Sequence, residues 1–153
     1  MGTVAMGKAS RDWMNLSASQ GVPIELLTST PRYLASIDIE ISVFAKKTTP
    51  DVSADDLEKH ITETYHGHPF THGEQFIFEF NKTIFVGNVL GLTAPELPGE
   101  QQYGAGWERD DVGLMTEKAD VRFTRRKGEI FKIKASSKKY ASPPPISLRL
   151  QKI

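Results

Sequence analysis

The sequence predicts a small α+β domain, over residues 36 to 137, in which one helix packs on a mostly antiparallel sheet. Three observations predict it: a strand of alternating apolar and polar residues, a capped helix with an apolar stripe, and two aromatic-rich strands joined by a short turn. Strands that follow one another around a single helix are typical of α+β proteins, whereas a regular β-α-β alternation would indicate a parallel sheet.

The first predicted strand runs from Ile37 to Phe44. Its apolar positions occur at every second residue and are Ile37, Ile39, Ile41 and Val43. Because successive side chains of a strand point to opposite faces, this period of two predicts a strand that is buried on one face.

A helix is predicted to follow from Ser53. The segment Ser53-Ala54-Asp55-Asp56 resembles a capping box, and its aspartates lie in the first turn, where the helix dipole favours anions. Leu57 and Ile61 form the buried stripe. Gly67 and Pro69 predict the end of the helix.

A β-hairpin is predicted next. Gln75–Phe80 carries three phenylalanines on one face, Asn81-Lys82 supplies a two-residue turn, and residues 83–90 return. Two such runs separated by two polar residues are typical of a hairpin.

The remaining segments are less regular. Strands are predicted in four places, which are residues 22–27, 112–116, 119–124 and 129–134. Residues 93–109 are rich in Pro, Gly, Gln and Glu and predict a long surface loop. Residues 138–153, with Pro143-Pro144-Pro145, predict an extended or disordered tail.

The composition excludes several classes of protein. The chain has 153 residues, of which 39% are hydrophobic and 25% charged, and it carries 19 basic and 19 acidic residues. A zero formal charge argues against a general attraction to nucleic acid or acidic membranes. The absence of cysteine excludes disulfides, thiolate zinc sites and cysteine nucleophiles. We found no apolar run of membrane-spanning length and no signal peptide, so we expect a soluble, cytoplasmic protein without membrane insertion.

Charge is nevertheless unevenly distributed. Residues 49–111 contain twelve acidic and three basic residues, whereas residues 118–139 contain nine basic and two acidic ones. Recognition should therefore use local patches. Lys46-Lys47, at the end of the first strand, could steer an acidic protein partner. Nucleic-acid binding is not predicted, because neither interleaved aromatic residues nor a known motif accompanies the basic residues.

One segment matches a phosphate-binding motif. Residues Gly2 to Lys8 have the spacing G-x-x-x-x-G-K, in which loop amides and the lysine cradle phosphates. Ala9 stands where a serine or threonine hydroxyl would reach magnesium, and only Met1 precedes the motif where a strand is required. Nucleotide binding is therefore the alternative hypothesis.

Other catalytic and metal-binding patterns are weak. Four histidines lie close together in the sequence, at positions His60, His66, His68 and His72. A His-x-His pair can bind zinc, but no acidic residue is an obvious partner; His60 lies on the predicted helix, and we interpret the other three as solvated loop residues. No Gly-x-Ser-x-Gly motif occurs, so we predict neither catalytic residues nor a metal site.

An ordered set of segments resembles one family. Residues 73–85 and 33–41 resemble the second subdomain of the amino-terminal region of the vesicle-fusing ATPase (N-ethylmaleimide-sensitive fusion protein), the latter particularly in fungal members. Three further segments follow in the family's order and are Ser53–Tyr65, Glu96-Leu97-Pro98-Gly99-Glu100 and Gly113-Leu114-Met115-Thr116. The resemblance covers about residues 2 to 138.

The resemblance also divides the chain. Gly2 to Ser17 looks like the closing part of the family's first subdomain, a double-psi β-barrel. It implies that residues 1–35 are an incomplete piece of that barrel, partly unstable because earlier strands are missing. Residues 36–137 would be the second subdomain, and residues 138–153 an unrelated tail.

The family's function supplies further expectations. Its members are AAA+ ATPases that act with the adaptor SNAP to disassemble SNARE complexes after membrane fusion in vesicle-mediated protein transport. The amino-terminal region grips the adaptor with basic residues. Position by position, the resemblance implies partner-binding roles for Arg11, Lys46 and Lys47, while Asp12 stands where mammalian-type members have a second base. ATP and magnesium belong to ATPase domains that do not match here, so we expect a monomer without cofactors or enzymatic activity.

Overall fold

A computed structural model describes residues 2–28, 31–45, 49–95 and 112–136. These residues form two helices, α1 (Lys8–Trp13) and α2 (Ala54–Thr64). They also form nine strands: β1 (Arg32–Tyr33), β2 (Ser36–Val43), β3 (Asp51–Ser53), β4 (Pro69–Thr71), β5 (Gln75–Phe80), β6 (Thr83–Thr93), β7 (Val112–Leu114), β8 (Asp120–Arg125) and β9 (Lys132–Lys134). The predicted α+β class is confirmed, and the described residues form no closed barrel.

The main sheet has four strands in the order β5-β6-β2-β8. β6 is antiparallel to β5, as predicted for the hairpin, and also to β2, whereas β8 is parallel to β2. Two smaller sheets flank it, one formed by β1, β7 and β4 and one by the parallel pair β3 and β9. The parallel pairings lie beyond what alternation alone could predict, because a period of two does not specify strand direction.

The hydrophobic core lies on one face of the main sheet. The predicted inward positions of β2 are buried, with Ile37, Ile39 and Ile41 at 0% exposure. Helix α2 packs on this face through Leu57 and Ile61, which are also fully buried. The apolar stripe of the helix and the alternation of the strand thus meet as the sequence predicts.

Aromatic rings extend this core along the hairpin. The ring of Phe78 stacks on that of Phe85 with centroids 5.5 Å apart, and Phe85 contacts Phe131 edge-on at 5.9 Å. Such ring pairs contribute about 0.5–1.5 kcal/mol each beyond the burial of their surface. Phe131 precedes β9 and anchors it to the main sheet.

Several local predictions were wrong. The strand predicted over residues 22–27 does not form, and Ile24 and Leu26 are 69% and 92% exposed. Helix α1 and the short strands β1, β3 and β4 were missed. A strand requires a partner for its backbone groups, and short elements supported mainly by tertiary contacts carry little signal in the sequence.

The proposed domain boundaries at 35/36 and 137/138 stay predictions. The tail over 138–153 and most of the predicted loop over 93–109 fall outside the described residues. In the part of the chain that the structure describes, neither helix is long and apolar enough to cross a membrane.

Candidate functional site

The end of β2 lies beside the end of β8, at one edge of the main sheet. Ile41 is paired with Arg125, and the backbone N–H of Arg126 donates a hydrogen bond of 2.9 Å to the carbonyl of Ile41. Because the two strands are parallel, β2 and β8 both end at the same edge of the sheet. The residues that follow β2 and those that follow β8 therefore begin as neighbours.

The turn of the β5–β6 hairpin lies at this edge too. Val43 pairs with Phe85, and the N–H of Phe44 donates to the carbonyl of Ile84 at 2.9 Å. The turn residues Asn81 and Lys82 both have positive φ angles, 49° and 62°. Positive φ at both positions is characteristic of a type I′ turn, whose twist matches that of the flanking strands.

Five basic residues surround these strand ends, and we call them the basic edge: Lys82, Arg125, Arg126, Lys127 and Lys132. All five are exposed. Arg125 donates from Nη1 to the carbonyl of Phe131 at 2.7 Å, and with Lys132 it lines a shallow depression of about 390 Å³. Arg125 therefore helps to hold the turn between β8 and β9 in place.

The other four cations are available to a partner. Within the described ranges, Lys82, Arg126, Lys127 and Lys132 form no ion pair. Acidic residues are interspersed: Glu79 precedes the hairpin turn, Asp51 is paired in register with Lys132, and Glu129 bonds through its N–H to Arg126. The edge is thus basic but not uniformly so.

Exposed apolar side chains accompany these charges. Phe44 is 61% exposed, Ile84 45% and Ile130 75%. The sequence analysis missed all three, as well as Lys82. No local pattern in the sequence marks them. They reach one edge through the pairing of strands that are distant in the chain.

Lys46 and Lys47, two of the predicted partner-binding residues, lie outside the described residues. Ala45, which directly precedes them, follows Phe44 at the basic edge. The described chain resumes at Thr49, ahead of β3. Their predicted role therefore stays a prediction.

Arg11, the third predicted residue, is half-buried in α1. Its Nη1 donates to the carbonyl of Met6 at 2.6 Å, and the residue lines a depression of about 650 Å³ formed by residues 2–24. Its neighbour Asp12 is paired with Lys8, with Oδ2 and Nζ 2.6 Å apart. The described hydrogen bonds of Arg11 are with its own segment, and none of them joins it to the basic edge.

The structure does not favour the nucleotide-binding alternative. Residues 2–7 form neither strand nor helix, and Lys8 begins α1, which has only six residues. The ammonium group of Lys8 is engaged by Asp12 rather than aimed back at the glycines. A phosphate loop requires a strand on one side and a helix on the other, and here the strand is missing from the described residues.

The histidines take different positions. His66 and His72 are exposed, as predicted, but His68 is half-buried beside β4, with Nε2 3.2 Å from Oε1 of Glu74. The ring of His68 contacts that of Phe70 at 4.5 Å. His60 packs against Phe80 at 5.3 Å. Among the residues that the structure describes, no three His, Asp or Glu side chains are grouped to hold a metal ion.

Tyr65 joins the same aromatic cluster at the end of α2. Its ring contacts Phe76 edge-on at 5.3 Å, and its hydroxyl donates to the carbonyl of Ile77 at 3.4 Å. Burial raises the pKa of the Tyr65 hydroxyl above its usual value, and the nearby carboxylate of Glu74 raises it further. The neutral phenol is therefore the stable form in the folded protein.

Comparison with known proteins adds a distant similarity. No family model matches the sequence. A curated relative, the vesicle-fusing ATPase of Dictyostelium discoideum, is 24% identical over 106 residues, which cover 69% of this chain. The chain spans about 14% of the length of that relative. Over roughly two thirds of its length, then, this chain is distantly similar to a small part of a vesicle-fusing ATPase.

Proposed function

We propose that this chain is a protein-binding module that docks a SNAP-type adaptor carrying a SNARE complex, in vesicle-mediated transport and membrane fusion. The observation that carries the proposal is the similarity to the Dictyostelium vesicle-fusing ATPase. The aligned part is a small fraction of that relative, so we assign this chain adaptor binding and not ATP hydrolysis. Its α+β fold agrees with the second subdomain that the resemblance implied.

Three basic residues are proposed to contact the adaptor. Lys46 and Lys47 would lead, since in the sequence they follow Ala45, the last described residue after β2, and Arg11 would assist. The hydrogen bond from Arg11 to the Met6 carbonyl restricts the orientation of its guanidinium group and leaves other N–H donors for a carboxylate.

The expected affinity is low. An exposed charge pair contributes about 0.2–1 kcal/mol, so several pairs must act together. Binding should also weaken with salt, because the Debye length falls to about 8 Å at physiological ionic strength. A complex that presents several adaptor copies would bind more tightly than one free adaptor, because linked sites raise the effective concentration.

Capture of an adaptor–SNARE complex tests the proposal. The wild-type chain should retain the complex, and the double variant Lys46→Glu, Lys47→Glu should lose most of it. The matched control is Lys59→Glu with Lys118→Glu, which changes the charge equally at exposed positions on α2 and ahead of β8. Equal capture by wild type and the Lys46/Lys47 variant would refute the proposal.

A calorimetric titration with ATP and magnesium tests the proposal that this chain does not bind nucleotide. We expect no heat of binding, because Lys8 is paired with Asp12 and lies at the start of a six-residue helix. Measurable heat that disappears in Lys8→Ala would restore the nucleotide-binding alternative.

A further inference from the structure

The strand order brings basic residues from separate parts of the chain to one place. The parallel pairing of β2 with β8 places Arg126 beside the end of β2, and the β5–β6 turn adds Lys82 next to the same strand end. None of these residues was part of the predicted adaptor site.

Arg126 and Lys127 are the best placed to meet a partner. Both are exposed, and neither forms an ion pair among the described residues. The turn that carries them is held by Arg125, which donates to the Phe131 carbonyl, and by the Glu129 N–H, which donates to Arg126. A fixed backbone with unpaired side chains presents charge at little cost in main-chain entropy.

Apolar groups at the edge restrict the class of partner. Phe44 is 61% exposed and Ile130 75% exposed, although their sequence neighbours Val43 and Phe131 are buried. Exposed aromatic and aliphatic groups among arginines are typical of protein interfaces. A nucleic-acid backbone would offer phosphates but no surface on which to bury the isoleucine.

The acidic residues interspersed among the cations further restrict the class of partner. Asp51 is paired in register with Lys132, while Glu79 and Glu129 lie close in sequence to Lys82 and Lys127. A membrane surface or a nucleic-acid backbone carries closely spaced negative charges and would repel these carboxylates. An acidic polypeptide can instead place its carboxylates opposite the cations and its apolar side chains between them.

We propose that the basic edge, through Arg126, Lys127 and Lys82 with Phe44 and Ile130 as apolar anchors, binds an acidic protein segment that also carries apolar residues. The proposal rests on the proposed function and deepens it, because it adds contacts for the same partner, and the basic edge is defined without Lys46 and Lys47. Binding there requires no change in the fold, since the side chains already point to solvent.

The experiment uses the whole chain and a fluorescent peptide of repeating Glu-Glu-Leu units. We expect Arg126→Glu with Lys127→Glu to weaken binding about tenfold, since two charge pairs are lost and replaced by repulsion. Phe44→Ser with Ile130→Ser should weaken it several-fold without changing the charge. The control Lys59→Glu with Lys118→Glu should bind like wild type. Circular dichroism melts of every variant establish that these exposed positions leave the fold intact.

Vesicles containing phosphatidylserine and duplex DNA serve as competing probes. Unchanged peptide binding by the Arg126/Lys127 variant would overturn the proposal, as would tighter binding of wild type to vesicles or DNA than to the peptide. The same variants are then tested for capture of the adaptor–SNARE complex. Loss of capture with Lys46→Glu, Lys47→Glu but not with the Arg126/Lys127 variant would reject this inference and leave the proposed function standing. The reverse pattern would support the basic edge and reject the roles of the two lysines.

Discussion

The ring of Phe76 occupies the space in which a side chain of Gly87 would lie. The two residues are directly paired across β5 and β6, and a Cβ atom built on Gly87 would be 2.5 Å from Cζ of Phe76. The ring is held by aromatic neighbours, with Tyr65 at 5.3 Å and Phe70 at 5.2 Å, so it cannot move without disturbing the cluster. This glycine therefore stabilises the fold by having no side chain.

Gly87→Ala should accordingly be costly. Overpacking a core typically destabilises a protein by about 1–3 kcal/mol, and we expect the upper part of that range because the nearest atoms belong to a confined ring. Urea denaturation measures the free energy of unfolding. Gly21→Ala is the control, because nothing lies within 4 Å of the position its Cβ would take. A Gly87→Ala variant as stable as the control would show that the Phe76 ring yields easily.

Lys82→Gly should stabilise the hairpin. Lys82 has a φ of 62°, a left-handed conformation that L-residues with side chains adopt unfavourably. Glycine adopts it freely and is preferred at the second central position of a type I′ turn, although it costs more conformational entropy on folding. We expect a net gain of about 0.5–1 kcal/mol, measured as a rise in the melting temperature. A fall in that temperature would mean that Lys82 makes a stabilising contact outweighing its backbone strain.

Alkaline pH should destabilise the fold through Tyr65. Its pKa is higher in the folded state than in the unfolded chain, chiefly because it is buried and secondarily because of Glu74. The folded state therefore holds the phenolic proton more tightly, so this contribution is complete below the unfolded pKa of about 10 and is lost as pH rises through the folded pKa. As pH rises above about 9, into the range in which a phenol titrates, the free energy of unfolding of Tyr65→Phe should fall less than that of wild type.

The exposed Tyr33 provides the control for this experiment, with Tyr33→Phe expected to follow wild type. Chemical denaturation at a series of pH values gives the comparison, and lysine titration cancels because it is common to all three proteins. Parallel pH profiles of the free energy of unfolding for wild type and Tyr65→Phe would contradict the assignment of this pH dependence to Tyr65.

The salt dependence of peptide affinity should distinguish the charged contacts of the basic edge from its apolar contacts. Affinity for the Glu-Glu-Leu peptide is expected to fall as salt rises, since exposed pairs are screened over about 10 Å at 0.1 M ionic strength. The Arg126→Glu, Lys127→Glu variant should show a shallower salt dependence than wild type. Phe44→Ser should keep the wild-type slope at a lower affinity, because burial of Phe44 is not screened. Identical slopes for wild type and the charge variant would place the ionic contacts elsewhere.

Much of the local structure could be predicted. The alternation that begins at Ile37 correctly identified β2 and its buried face, and Ser53 with the aspartates after it correctly located the start of α2, although the Ser53 side chain makes no capping hydrogen bond. The turn at Asn81-Lys82 was also correct. These features depend on residues a few positions apart. The short strand β4 was missed because a proline and the surrounding histidines and glycines indicated a loop, whereas pairing with β7 makes it a strand.

The candidate site was only partly predictable. Arg11, Lys46 and Lys47 came from a resemblance, and the described structure neither joins Arg11 to the basic edge nor includes the two lysines. Arg126 and Lys127 lie within the basic segment 118–139 noted in the sequence, but no role was predicted for them. Their position beside the end of β2 was not foreseeable, because nothing near them in the sequence specifies which strand pairs with β8 or in which direction.

By itself, the sequence determined the identity of the main elements, since alternation, caps and turn residues act between near neighbours in the chain. Only the tertiary structure decided that Ser36 and Arg122, which are 86 positions apart, lie within hydrogen-bonding distance on adjacent parallel strands. Strand order and direction depend on the packing of the whole core, and that packing is what brings the basic residues to one edge.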